Sequence, residues 1–153
     1  MCRPQAPNLN HVGRAPEAQR RAVLIVEDER VARRALKTLL AASGFDTAAA
    51  GSAEEALRIL EEQASHPHPL VALVDLNLPG MNGLDFITRL ERIDPEAVPV
   101  LMTAASDEVL GDAVRDRNLV YLRKPLDLGL LITVITHAED ACKGDGTETR
   151  GGP

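Results

Sequence analysis

Asp75 ends an apolar run, LVALVD (70–75), at the mouth of a loop carrying Pro79, Gly80 and Gly83. Glu27 and Asp28 end a second run, AVLIVEDE (22–29). Thr103 closes VPVLMT (98–103), and Lys124 lies at the end of LVYLRKP (119–125). If those ends meet, the chemistry is constrained. Two carboxylates about 5 Å apart repel by roughly 3 kcal/mol at an effective dielectric near 20. Three such pairs approach ~10 kcal/mol, comparable with the ~5–15 kcal/mol that holds a whole domain together. The cluster calls for a cation, and all-oxygen, partly hydrated ligation suits Mg²⁺ or Mn²⁺. Acids, a divalent ion, a Lys and a hydroxyl make a poor hydrolase triad and a good phosphoryl site. Asp75 can be the nucleophile. The ion and Lys124 can neutralise the transferring oxygens, and Thr103 can donate to a phosphoryl oxygen.

Taken singly, each of these residues has an ordinary reading. A strand-end Asp commonly serves a turn or cap. Glu27 and Asp28 suit the dipole at the start of a helix. Lys124 suits a solvated surface and Thr103 a strand end. The functional reading rests on their joint placement.

The elements that must position them follow from periodicity. After residue 29 a helical pattern sets Val31, Ala35, Leu36, Leu39 and Leu40 on one face, and Gly44 stops it. FDTAAA (45–50) is a weaker strand suited to a sheet edge. Ser52 and Glu55 form a capping box before a helix with Ala53, Ala56, Leu57 and Leu60 as its stripe. A helix over 84–93 is stopped by Asp94-Pro95. Residues 106–117, with Val109, Leu110, Ala113 and Val114 on one face, and 127–142 give two more. Four of the strands are apolar on both faces, as parallel strands covered by helices must be. The spacing suits right-handed crossovers and an α/β, doubly wound sandwich. In such sheets function collects beyond the carboxyl ends of the strands.

Composition bounds the function classes. A chain of 153 residues suits one domain with tails. Aromatics are 2%, which leaves few rings to stack on bases. Net charge is −6 and uneven: residues 1–21 hold four Arg and one Glu, whereas 22–142 hold 11 basic and 20 acidic side chains. An acidic domain argues against direct nucleic-acid binding. Residues 1–21 are expected to be a disordered basic tail and 143–153 a disordered polar one. No apolar run reaches membrane-span length and no signal-peptide core precedes it, so the expected location is cytoplasmic. Cys2 and Cys142 lack metal-ligand spacing and are expected as free thiols. His66 and His68, in SHPHP (65–69), are expected to be solvated.

With LIVEDE, LVDLNLPGMNG, LMTAA and YLRKP in this order, the chain resembles the receiver domain of bacterial two-component response regulators (the CheY-like superfamily) over about residues 22–142. The resemblance implies a flavodoxin-like five-stranded parallel sheet of order 2-1-3-4-5 with five helices. It implies that Asp75 is the phospho-acceptor in a phosphorelay. Asp28 would be the main metal ligand, Glu27 would help through water, and Asn77 would add its backbone carbonyl. Thr103 and Lys124 would contact the phosphoryl group, Tyr121 would be the aromatic switch, and the Lys124-Pro125 bond would be cis. It also implies a signalling phospho-acceptor rather than an enzyme. Its partners would be a sensor histidine kinase or histidine phosphotransfer protein and a downstream protein target. The face of the fourth helix, fifth strand and fifth helix (α4-β5-α5) would switch and support a homodimer. Leu128, Leu130, Leu131, Ile132, Val134 and Ile135 exceed one buried stripe and fit such a surface.

The sequence departs from the family pattern in three places, one of them a fourth helix that is short and polar towards its end, which bears on the output surface. Glu27 stands where Asp is more common, and Arg117-Asn118 replaces a frequent Gly-Ala pair. No second domain follows residue 142, so a stand-alone receiver is expected. Competing readings are a phosphorylation-independent interaction module, an aspartyl-nucleophile phosphatase and a flavodoxin-like cofactor binder. The second would want an Asp at position 77, which is Asn. The third would want a phosphate loop where EDERVA places acids.

Overall fold

Successive side chains of a strand point to opposite faces, and β1 (Ala22–Val26) is buried along its whole length. Val23 and Ile25 enter one core; Ala22, Leu24 and Val26 enter another. A strand apolar on both faces must lie inside a sheet covered on both sides, and β1 does. The computed structural model describes residues 22–62 and 70–143. The expectations for the tail at 1–21, for Cys2, for His66 and His68, and for residues 144–153 lie outside the described residues.

β1 is followed by α1 (Arg30–Ala42), β2 (Asp46–Ala50), α2 (Ala53–Glu62), β3 (Leu70–Asp75), α3 (Gly83–Ile93), β4 (Val98–Thr103), α4 (Asp107–Arg117), β5 (Val120–Arg123) and α5 (Leu128–Lys143). The strands form one parallel sheet of order β2-β1-β3-β4-β5. One core joins alternate residues of β1, β3 and β4 to Ala53 and Ala56 of α2, to Phe86, Ile87 and Leu90 of α3, and to Leu110 and Val114 of α4. The other joins the intervening residues to Leu36 and Leu40 of α1 and to Leu131 and Ile135 of α5. The doubly wound fold expected from the sequence is therefore present.

The differences are local. Of the face expected on α1, only Leu36 and Leu40 are buried; Val31, Ala35 and Leu39 face outward. At about 100° per residue, 31, 35 and 39 form a stripe beside that of 36 and 40, and the sheet covers only one of them. The capping box is half formed. Ser52 Oγ accepts the Glu55 N–H, but the Glu55 carboxylate accepts from Gly51, one residue before Ser52. β5 is shorter than the apolar run 119–125, because the chain turns away at Lys124-Pro125, a cis bond as expected. α5 runs on through Lys143, one residue into the tail expected at 143–153. Its Leu131 and Ile135 are fully buried, Ile132 and Val134 half-buried, and Leu128 and Leu130 exposed.

Candidate functional site

Parallel pairing brings the carboxyl ends of β1, β3, β4 and β5 to one edge. Val26 is level with Val74, Asp75 with Met102, and Thr103 with Arg123. Glu27 and Asp28 follow β1, Asp75 closes β3, Thr103 closes β4 and Lys124 follows β5. Backbone bonds continue the sheet past its formal end. Leu76 N–H donates to Met102 O at 2.9 Å and Lys124 N–H to Thr103 O at 2.8 Å.

Lys124 is the centre of the cluster. Its Nζ donates to Glu27 Oε2 at 2.6 Å and to Asp75 Oδ2 at 3.0 Å. Glu27, Asp75 and Thr103 are buried, whereas Asp28 is exposed. Burial pushes the Glu27 carboxyl above the ordinary glutamate value, against the opposing pull of Lys124. For Lys124, burial works against the charge, but bonds to Glu27 and Asp75 outweigh it and hold the ammonium above the ordinary lysine value. The Lys124 shift expresses one fact: two buried acids share a single cation.

Ligand oxygens of Glu27, Asp28 and Asp75 all lie within 4.8 Å of one another. Opposite oxygens of a hydrated Mg²⁺ are about 4.2 Å apart, so the set is near the right span. Its chemistry is all oxygen, with one carboxylate open to water. The residues fit a small hard divalent cation.

The loop after Asp75 is built for close approach. Asn77 N–H donates to Asp75 Oδ1 at 3.0 Å, so protein donors meet both oxygens of that carboxylate. Gly80 has φ +75°, which suits glycine. At Gly83 a Cβ would stand 2.3 Å from the Asp75 carbonyl oxygen, so the start of α3 reaches the strand end only because position 83 lacks a side chain. Asn82 caps α3 by accepting the Asp85 N–H at 2.9 Å.

Thr103 Oγ1 accepts the Ala105 N–H at 2.9 Å, which folds the chain sharply after β4. Tyr121 is level with Leu101 on β5 and 38% exposed. The structure thus brings Glu27, Asp75 and Lys124 into direct contact. It sets Asp28, Asn77 and Thr103 around them and places Tyr121 on the exposed side of the edge strand.

Three supporting residues escaped sequence reasoning. Arg33 Nη1 donates to the carbonyls of Glu27 at 3.0 Å and Asp28 at 3.3 Å, pinning the acid-bearing turn. Glu29 caps α1 through the Val31 and Ala32 N–H groups, which hold its carboxyl below the ordinary glutamate value. Glu54, at the start of α2, accepts the Met81 N–H at 3.2 Å and so ties that helix to the loop after Asp75. The available cue for Arg33 is a long cation little more than one turn into a helix that begins at an acid-tipped strand. Glu54 offers none, since its partner is 27 residues away.

A doubly wound sheet with acids at the ends of β1 and β3 and a lysine after β5 defines a class, and comparison with known proteins gives that class its name. Residues 23–136 match the response regulator receiver domain, and the chain belongs to that family, the receiver domains of two-component systems. It is 36% identical over 117 residues to a cyclic di-GMP phosphodiesterase of Thermotoga maritima, covering 76% of this chain and 30% of that one. It is 32% identical over 117 residues to the regulatory protein AtoC of Escherichia coli K12, covering 76% and 24%. With the DNA-binding response regulator MtrA of Mycolicibacterium smegmatis it shares 37% over 93 residues, covering 61% and 39%. The chain thus spans less than two fifths of the length of these relatives. Among solved structures, a receiver domain protein from Clostridium thermocellum superposes with a TM-score of 0.72 at 26% identity, covering 80% of this chain and 97% of that one.

Proposed function

We propose that this receiver accepts a phosphoryl group on Asp75 from a phosphohistidine of a sensor kinase or histidine phosphotransfer protein. One observation carries the reading: the Asp75 carboxylate is buried, met by Lys124 on one oxygen and Asn77 N–H on the other, and lies beside two further acids. An Asp75 oxygen attacks phosphorus in line. The bond to the donor imidazole nitrogen breaks, and that nitrogen keeps the electron pair. Lys124 turns its ammonium towards the incoming phosphoryl oxygens. Thr103 Oγ1 exchanges its bond from Ala105 for one to a phosphoryl oxygen. Asp28, Asp75 and the Asn77 carbonyl, with Glu27 helping through water, would hold Mg²⁺ or Mn²⁺, which supplies charge neutralisation for the transferring group.

The output follows from the same residues. Movement of Thr103 vacates space that Tyr121 fills, a population shift biased by the new dianion. Val120, Tyr121, Leu128 and Leu130 are exposed on β5 and α5, and with α4 they form the surface for a downstream protein target or a second copy.

Intact mass after incubation with acetyl phosphate and Mg²⁺ tests the reading. One added phosphoryl group, absent with Asp75→Asn and with EDTA, is the expected result. Failure of every phosphodonor, kinases included, to modify a folded, Mg²⁺-binding chain would leave the interaction-module reading.

A further inference from the structure

α1 carries Arg30, Arg33, Arg34 and Lys37, and one of these cations is held unlike the rest. Arg30, Arg34 and Lys37 are exposed, whereas Arg33 is half-buried. Helical side chains lean towards the helix N-terminus, so Arg33 lies back over the turn that bears Glu27 and Asp28. Its Nη1 donates to the carbonyls of both, at 3.0 and 3.3 Å. These are backbone contacts. The guanidinium fixes the path of the chain rather than either carboxylate.

The other half of the grip comes from the corner between β2 and α2. The Glu27 N–H donates to Ala50 O at 3.0 Å, which ties the acid-bearing turn to the end of β2. Gly51 follows. Its N–H donates to Glu55 Oε2 at 2.7 Å, and Ser52 Oγ accepts the Glu55 N–H at 3.1 Å, so α2 fixes its own entry corner. A Cβ at position 51 would stand 3.0 Å from Arg33 Nη1 and 3.4 Å from its Cζ. The first of these is closer than ordinary van der Waals contact. The atom that would have to yield is the same nitrogen that holds the two carbonyls.

We propose that Arg33 is a positioning residue for the Glu27–Asp28 turn and that Gly51 gives its guanidinium the room to hold that turn, so that a corner supplying no ligand sets how tightly the acids take a divalent cation. The inference rests on the phospho-acceptor reading above and on the metal it places at these acids. A turn ordered in advance spares the ordering that binding the cation would otherwise have to supply. Gly51→Ala is the sharp probe, because it keeps every charge and displaces only the guanidinium.

The test uses the full chain with Gly51→Ala, Arg33→Met and the double variant. In calorimetric titration with Mg²⁺ alone, Gly51→Ala is expected to weaken the Kd about fivefold in the parent. In the Arg33→Met background the same substitution is expected to change it by less than about twofold. At saturating Mg²⁺, phosphorylation of Gly51→Ala by acetyl phosphate is expected to return to within about twofold of the parent rate, since the bound cation then orders the turn. A third measurement needs neither cation nor phosphodonor. The Glu29 N–H bonds to Glu27 Oε1 across the turn at 3.1 Å. Its hydrogen exchange is expected to quicken about fivefold in Gly51→Ala and in Arg33→Met alike, while β3 amides keep the parent rate and so report an intact fold. An unchanged Kd for Gly51→Ala, an equal loss with and without Arg33, a rate that saturating Mg²⁺ does not restore, or unaltered Glu29 exchange in Arg33→Met would each overturn the proposal. If the parent neither binds Mg²⁺ nor accepts a phosphoryl group, the phospho-acceptor reading fails, and the Glu29 exchange still decides whether Arg33 holds the turn.

Discussion

At the scale of single residues, the site trades stability for chemistry. Glu27, Asp28 and Asp75 crowd one strand-end edge, and Lys124 bonds two of them. Each neighbouring acid pair costs roughly 1 kcal/mol even at the dielectric of water. Asp28→Asn should therefore raise the Tm by a few degrees in metal-free buffer. It should also remove the further rise that Mg²⁺ gives the parent by binding the folded state. Thermal scans with EDTA and with Mg²⁺ check both halves. An unchanged Mg²⁺ response would remove Asp28 from the metal site. The residue types were legible in the sequence because five chemically apt side chains end four apolar runs. What was not legible is which of them touch. The Lys124–Glu27 bond spans 97 residues and depends on how far a lysine reaches back over β4.

At the scale of elements, two contacts hold the loop after β3. Gly83 lets α3 begin against the Asp75 carbonyl, where any Cβ would collide with backbone. Gly83→Ala should cost roughly 1–3 kcal/mol, as overpacking against an atom that cannot yield does, and should slow phosphorylation more than its stability loss alone explains. Denaturant unfolding with phosphorylation rates measured on the folded fraction checks this. Glu54 fixes the other side of the loop. Its carboxyl is held below the ordinary glutamate value by its own backbone N–H and that of Met81. A depressed folded-state pKa gives stability that is present above the unfolded value and lost as pH falls through the folded one. Glu54→Gln should thus be less stable than the parent near pH 7, and the difference should shrink at acidic pH as the depressed carboxyl becomes protonated. Unfolding curves at neutral and acidic pH test the sign. Element types and most boundaries were legible because the aliphatic runs, Gly44 and Asp94-Pro95 punctuate the chain. α1 was misread at Val31, Ala35 and Leu39 because periodicity marks an apolar face without saying how much of it a sheet will cover. Asn118, with φ +51° at the end of α4, takes the left-handed position that a glycine would favour, so the missing Gly-Ala pair leaves the turn intact.

At the scale of the molecule, the sheet order brings Glu27, Asp28, Asp75, Thr103 and Lys124 to one edge and leaves apolar β5–α5 surface outside. Leu130 is 52% exposed and Leu131, beside it in sequence, is fully buried. Leu130→Glu should change stability by no more than about 0.5 kcal/mol yet weaken self-association or target binding of the phosphorylated chain; sedimentation of both forms with and without the phosphodonor checks it. A shift in Tm without a change in association would return Leu130 to an ordinary surface role. The doubly wound order was legible from alternating runs and crossover spacing, and the family from motifs in sequence order. The surface proposed for output was only partly so: Leu128, Leu130, Ile132 and Val134 share one apolar helix, and packing alone separates the exposed pair from the half-buried pair.

The central claim is that Asp75 carries the phosphoryl group, and chemical trapping tests it most directly. An acyl phosphate is reduced by borohydride to an alcohol, which marks the acceptor residue permanently. After phosphorylation, reduction and peptide sequencing by mass spectrometry, the account predicts homoserine at position 75 and at no other acid. Homoserine at position 28, 5-hydroxynorvaline at position 27, or a stable phosphate that borohydride leaves untouched, would contradict it.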